Sequence, residues 1–195
     1  MERYDARHPG TEWVFTSTVV SAGSPDGSSA GFDVPLAPLR VVTSSGLVDH
    51  LGRDWRIGIV LVRRGGFAVA RLVGASVAEA KVGRRHVQGR TKAGGWSQQR
   101  FARRRDNQAR MAFEAAGGHV QALLGSHAQA LDLLVTGGDR AAVESVLELP
   151  ELRALRRVPR RELAGLPDPT RSVLDRAVEQ VRSVDVRVVD TAPPG

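Results

Sequence analysis

The chain has 195 residues, 42% of them hydrophobic, enough for one medium-sized domain with a real core and a small appendage. It contains no cysteine, which excludes a disulfide framework, a thiolate metal site and a cysteine nucleophile. Formal net charge is +7 with an isoelectric point near 11.1, so polyanions are the natural partners.

No charged-then-apolar N-terminal segment resembles a signal peptide. The apolar run Ile57–Val62 is short, whereas a membrane span needs about 20 apolar residues. A soluble, intracellular (cytoplasmic) protein without membrane contact is expected.

Residues 11–20, "TEWVFTSTVV", have strand composition and lead into the turn-rich "SAGSPDGSSAG". "FDVPL" is the return strand, and the prolines of "PLAPL" mark a boundary. Residues 1–54 are therefore expected to form a small β-rich appendage, too short for a convincing core of their own. "RIGIVLVRR" (56–64), a Gly65–Gly66 turn and "FAVARLVG" (67–74) predict a hairpin. "SVAEAKVG" (76–83) adds a third strand, with Ala78, Ala80 and Val82 on one face and Glu79 and Lys81 on the other.

A long helix is predicted over roughly 98–128, with Phe101, Ala109, Phe113, Ala116, Val120, Leu123 and Leu124 as its apolar stripe. Gly117–Gly118 marks a break or a close packing point. "LDLLVTGG" (131–138) predicts a buried strand ending in a Gly137–Gly138 turn, then a helix capped by Asp139. A last helix is expected to start with Asp168 as cap and Pro169 in its first turn. Its apolar face is Val173, Leu174, Ala177, Val178 and Val181. "VDVRVVD" (184–190) is the closing strand, and residues 191–195 are a tail. This element order predicts an α/β protein, an RNase H-like mixed sheet with flanking helices over 55–190, plus the N-terminal appendage.

Charge is segregated along the chain. Residues 81–110 hold ten Lys or Arg and one acid, Asp106, so this window is +9 and the other 165 residues sum to −2. Eight of the ten are arginine, the side chain whose fork fits phosphate bidentately. The bland alternative is a solvated helix face. Within the window, "AGGWSQ" joins Gly94 and Gly95, free to take unusual backbone angles, to Trp96, able to stack on a base. Ser97 is a natural helix N-cap that puts Gln98 in the first turn beside free N–H groups. The competing view is a glycine hinge before an ordinary capped helix, with Trp96 in the core.

A glutamine is neither base nor nucleophile. Its amide can orient a water or a ribose hydroxyl, and a backbone N–H can stabilise an oxyanion. A glycine–glutamine loop on an arginine-rich stalk thus suggests a tip inserted into an RNA-lined active site. Of the five histidines, His8, His50, His86, His119 and His127, none has the i, i+4 spacing of a helical metal pair. A two-metal nuclease needs clustered carboxylates, and Asp132 with Asp139 is only a lone pair. No cofactor and no metal ligand is expected.

"KVGRRHVQGRTKAGGWSQQRFARRRDNQAR" (81–110) resembles the signature of the actinobacterial branch of the Vms-like release factors, often described as peptidyl-tRNA hydrolases. The resemblance extends in outline through 55–190, including "VLVRRGGFAVA" and "LVTGGDRAAV". It implies a domain similar to the middle domain of eukaryotic class-I release factors, an RNase H-like fold without the metal carboxylates. Those factors carry Gly-Gly-Gln on a mobile loop that enters the peptidyl-transferase centre; Vms-like proteins carry Gly-x-x-Gln.

That motif maps to Gly95-Trp96-Ser97-Gln98, implying Gln98 as catalytic residue, shaped by Gly94 and Gly95, with Gln99 an adjacent rival. Arg84, Arg85, Arg90, Lys92, Trp96, Arg100, Arg103, Arg104 and Arg105 would bind RNA. The implied partners are the large ribosomal subunit, its rRNA and peptidyl-tRNA. Either the ester or a bond near the tRNA CCA end would be cut. The alternatives are a non-catalytic rRNA- or tRNA-binding ribosome factor and a metal-dependent nuclease.

Overall fold

Strand β4 (Arg56–Arg63) is apolar at every interior position, and the fold uses both of its faces. Val60 and Val62 point to one side and Ile59 and Leu61 to the other, and all four are buried. A strand of this kind needs partners on both edges. β5 (Gly66–Val73) supplies one, antiparallel, and β7 (Leu133–Gly138) the other, parallel. β6 (Ser76–Arg84) and β8 (Arg160–Leu163) complete a five-stranded mixed sheet of order β6-β5-β4-β7-β8. The structure is a computed structural model that describes residues 1–63, 65–84 and 113–191.

Contacts divide the chain into two units, one of residues 54–179 and one of residues 1–53 with the stretch from Gln180 onward. In the larger unit, helix α3 (residues 113–124) buries Ala116, Val120 and Leu124 against Val60, Val62 and Val69 of the sheet. This is the predicted stripe, within its described part. The helix runs through Gly117–Gly118 without a break. Gly117 is the packing point, because a Cβ there would strike Leu149, whereas Gly118 faces open space.

Helix α4 (Arg140–Leu147) adds Val143, Val146 and Leu147 to the same core. Its N-cap is Asp139, whose carboxylate accepts from the N–H groups of Ala141 and Ala142 at 3.0 and 3.3 Å. Gly137 is not a turn residue as expected: it pairs with Leu163 inside β7. Only Gly138 turns, with φ +104° and no room for a Cβ beside the Val62 carbonyl.

Helix α5 (Arg171–Arg182) buries Val173, Leu174, Ala177, Val178 and Val181, as its pattern predicts. Its cap differs from expectation. Thr170 Oγ1 accepts from the Val173 N–H at 3.2 Å, the i to i+3 geometry of a cap, so the helix starts two residues later than Asp168 would place it. Asp168 instead faces Arg63, Nε to Oδ1 at 3.6 Å.

The N-terminal unit opens with a short helix, α1 (Glu2–Asp5). Its sheet is a meander of β1 (Glu12–Phe15), β2 (Val19–Gly23) and β3 (Ser29–Asp33). The expected single strand over 11–20 is thus two, broken where Thr16 Oγ1 accepts from the Val19 N–H at 2.8 Å and donates to its carbonyl. The fourth strand is the C-terminal β9 (Arg187–Val189), antiparallel to β3. Helix α2 (Ser44–Gly52), capped by Thr43, puts Leu47 into a cluster with Val20, Val34 and Leu39.

Candidate functional site

The carboxyl ends of parallel strands β4, β7 and β8 lie at one end of the larger sheet, the end where open α/β sheets bind ligands. β6 finishes there too, Arg84 being paired with Gly66 at the first position of β5. The described part of the arginine-rich stretch ends here at Arg84, and α3 is described from residue 113. Residues 85–112 lie outside the described residues, and with them Gly94, Gly95, Trp96, Gln98, Gln99, Arg85, Arg90, Lys92, Arg100, Arg103, Arg104 and Arg105. Of the predicted RNA-binding set only Arg84 is described, and its side chain is exposed.

The base of the stretch is built around one ring. Phe67, second residue of β5, is paired across the ladder with Gly83 of β6, and a Cβ on Gly83 would run into the edge of the ring. The other side of Phe67 meets His119 of α3, ring centroids 4.9 Å apart and planes 23° apart. One aromatic side chain therefore touches both the strand that enters the arginine-rich stretch and the helix that leaves it. Phe67 and Phe113 also pack on the core. The sequence pattern could flag Gly83 only as an interruption of an alternating strand; its purpose depends on a neighbour 16 residues away in sequence.

Around this end, Arg63 donates from Nη1 to the Leu166 carbonyl at 2.9 Å, which fixes the guanidinium beside Asp168. Asp139 is occupied as a helix cap. Asp132 sits at the opposite end of β7, accepting the Arg56 N–H at 2.9 Å. A strand of that length separates the two carboxylates by about 20 Å, so they cannot share a metal. Among the described residues no three His, Asp or Glu side chains could hold an ion together. His50 bonds the Pro35 carbonyl, while His127 lines a shallow cavity with Arg56 and Arg71 at the amino end of the parallel strands.

Two carboxylates of this unit are held below their ordinary range. Arg71, directly across from Glu79 in the β5–β6 ladder, bonds it at 2.7 Å and favours its charged form. Arg160 does the same for Glu144 at 2.7 Å, aided by the fields of Arg140 and Arg156. Four more arginines surround Arg160 in the chain: "RALRRVPRR" (153–161) has five arginines and no acid. Net charge over the chain outside 81–110 conceals this second cluster, because acids elsewhere balance it. A nine-residue charge window finds it.

No helix among the described residues is long and apolar enough to cross a membrane. No curated protein matches the chain. Among solved structures, it is similar to the archaeal translation termination factor aRF1 at 18% identity and a TM-score of 0.37, covering 74% of this chain and 46% of that one. A second archaeal protein is similar at 20% identity and a TM-score of 0.40, covering 80% and 48%. The chain thus spans just under half the length of each. The family model of the Actinobacteria/chloroflexi VLRF1 release factor (acVLRF1) matches residues 55–187, which is the whole larger unit and more than half of the chain. The chain belongs to the acVLRF1 release-factor family.

Proposed function

We propose that this protein is a ribosome-associated factor that cleaves peptidyl-tRNA and frees nascent chains from stalled large subunits. Family membership across the larger unit is the observation that carries the reading. The position of the arginine-rich stretch at the carboxyl end of the parallel strands supports it. The strand order β6-β5-β4-β7-β8, an antiparallel meander followed by two parallel strands, supports the RNase H-like assignment.

In this scheme the loop Gly95-Trp96-Ser97-Gln98 enters the peptidyl-transferase centre. The Gln98 amide orients a water, whose oxygen attacks the ester carbonyl as backbone N–H groups stabilise the developing oxyanion. The C–O bond to the tRNA 3′-terminal ribose breaks, and the ribose oxygen leaves with a proton. Gly94 and Gly95 shape the loop, Trp96 stacks on a base, and the flanking arginines grip rRNA and tRNA phosphate. The chemistry requires no metal and no cofactor.

The test places labelled peptidyl-tRNA on purified 50S and 70S particles and adds wild-type protein or Gln98→Ala, following the peptide and the RNA 3′ end on gels. Glutamine-dependent release with an intact CCA end is the expected result. Release with a shortened tRNA would assign a phosphodiester cut instead. Tight binding without release from either particle would overturn the catalytic reading in favour of an RNA-binding factor.

A further inference from the structure

The segment 152–158 follows a period of three. Leu152, Leu155 and Val158 are 0%, 1% and 9% exposed and belong to the same buried cluster as Val60 and Val62. The residues between them are exposed. Two short 3-10 turns, Pro150–Leu152 and Leu155–Arg157, produce the pattern, since a 3-10 helix repeats every 3.0 residues and stacks side chains i and i+3. Arg153 lies in the turn between the two, and Arg156 in the second. Arg157 follows, and the chain then extends into β8, an edge strand of the sheet, carrying Arg160 and Arg161.

Arg160 carries the direct contacts: it binds Glu144 through Nη2 and donates from Nε to Thr136 Oγ1 at 3.1 Å, while Arg156 acts on Glu144 only through its field. Arg153, Arg156, Arg157 and Arg161 are exposed and make no salt bridge among the described residues. A surface serving only solubility would have interspersed signs. Exposed acids flank the run at Glu151 and Glu162, while between them every charge is positive, on a backbone that three core side chains pin and that needs no ordering when an anion docks.

From this arrangement we infer that Arg153, Arg156 and Arg157 form a second RNA-docking surface, which grips phosphate backbone independently of the arginine-rich stretch 81–110. The exposed cations are arginines, whose planar fork matches a phosphate backbone. None of the large exposed hydrophobic side chains falls within 148–170, so the apolar insertion that membrane-surface binding uses is missing here. The inference takes from the proposed function only that the partner is RNA. It stands whether or not Gln98 is catalytic.

The experiment measures binding of the full chain to purified 50S subunits over a series of KCl concentrations. It compares wild type with R153Q/R156Q/R157Q, with R103Q/R104Q/R105Q and with the combined variant. Arg160 is left in place because it holds Glu144 and Thr136. Three lost phosphate contacts should reduce the log–log salt slope by about 2. The two triple variants should each lower the slope, and the combined variant should lower it by their sum, with unchanged melting temperatures.

A slope for R153Q/R156Q/R157Q equal to wild type would overturn the inference. So would loss of binding to phosphatidylserine vesicles in place of 50S. Peptide release is scored separately with Gln98→Ala, so an inactive Gln98 and an inert arginine surface give different results.

Discussion

Phe67 stacks on His119 at 4.9 Å between ring centroids while its edge fills the space where Gly83 has no side chain. The contact ties β5, β6 and α3 beside Arg84, the last described residue before 113. In the proposed function the loop delivers a glutamine, and its placement depends on the rigidity of its base, since misplacement of about 1 Å can cost about 100-fold in rate. Phe67→Ala should destabilise the fold by roughly 2 kcal/mol, below the fully buried range because the ring is only half-buried. Urea denaturation with an unchanged m-value checks this. Peptide release from 50S particles should fall more than ribosome binding does.

Gly83→Val tests the same base from the strand side. The new side chain would collide with the Phe67 ring and push it off His119. If the ring is what matters, the double variant Gly83→Val with Phe67→Ala should recover part of the loss in stability, since the two defects share one cause. Strict additivity in a double-mutant cycle would show that the contact is incidental.

The loop arginines and Gln98 should separate by readout. Reversing the charge of Arg103, Arg104 and Arg105 should weaken ribosome binding first, and more steeply at low salt. If about six cations of the stretch meet phosphates, wild-type binding should fall with salt at a slope of about −4 to −5 on log–log axes. Gln98→Ala should leave that slope unchanged and remove cleavage. Filter binding and release assays on one protein preparation make the comparison.

Periodicity exposed most of the larger unit. β4 and β7 are apolar runs between turn residues, and α4 announces itself by Asp139 followed by Val143, Val146 and Leu147. What stayed hidden depends on distant or unusual geometry. β8, "RREL", has no alternation because three of its four residues are exposed on an edge. β9 is exposed along its whole length, so nothing in "RVV" says which sheet it joins; its partner β3 lies more than 150 residues earlier. α2 starts with "SSG", poor helix formers, and is secured by Thr43 accepting from the Gly46 N–H at 3.1 Å. The expected motif Gly95–Gln98 lies outside the described residues and stays a proposal drawn from the sequence.

Gly138 should be the least replaceable glycine at the carboxyl end of β7. Its φ of +104° is unfavourable for any L side chain, and a Cβ would meet the Val62 carbonyl, which also accepts from the Asp139 N–H at 2.8 Å. Gly138→Ala therefore strains the backbone at the residue that sets up the α4 cap. A loss exceeding about 1 kcal/mol is expected. Gly118→Ala is the control: nothing lies within 4 Å of its missing Cβ, and alanine is the better helix former, so that variant should be neutral or slightly stabilising.

The Glu144–Arg160–Thr136 link predicts a pH dependence of definite sign. Arg160 holds the Glu144 carboxyl below its ordinary value of 4.5 in the folded protein. Between the folded and unfolded values the unfolded chain binds more protons, so stability rises with pH across that interval. The contribution is complete above about pH 4.5 and is lost as pH falls through the folded value. Because both side chains are partly in solvent, the effect should stay below about 1 kcal/mol. Glu144→Gln should flatten the corresponding part of the acid limb in urea titrations between pH 5 and pH 3, leaving stability at pH 7 slightly lowered. Thr136→Val should behave differently. It removes the buried hydroxyl that accepts from Arg160 Nε and costs stability at every pH, because no titrating group is lost. Equal pH profiles for the two variants would mean that Arg160, and not the carboxylate charge, is what the link protects.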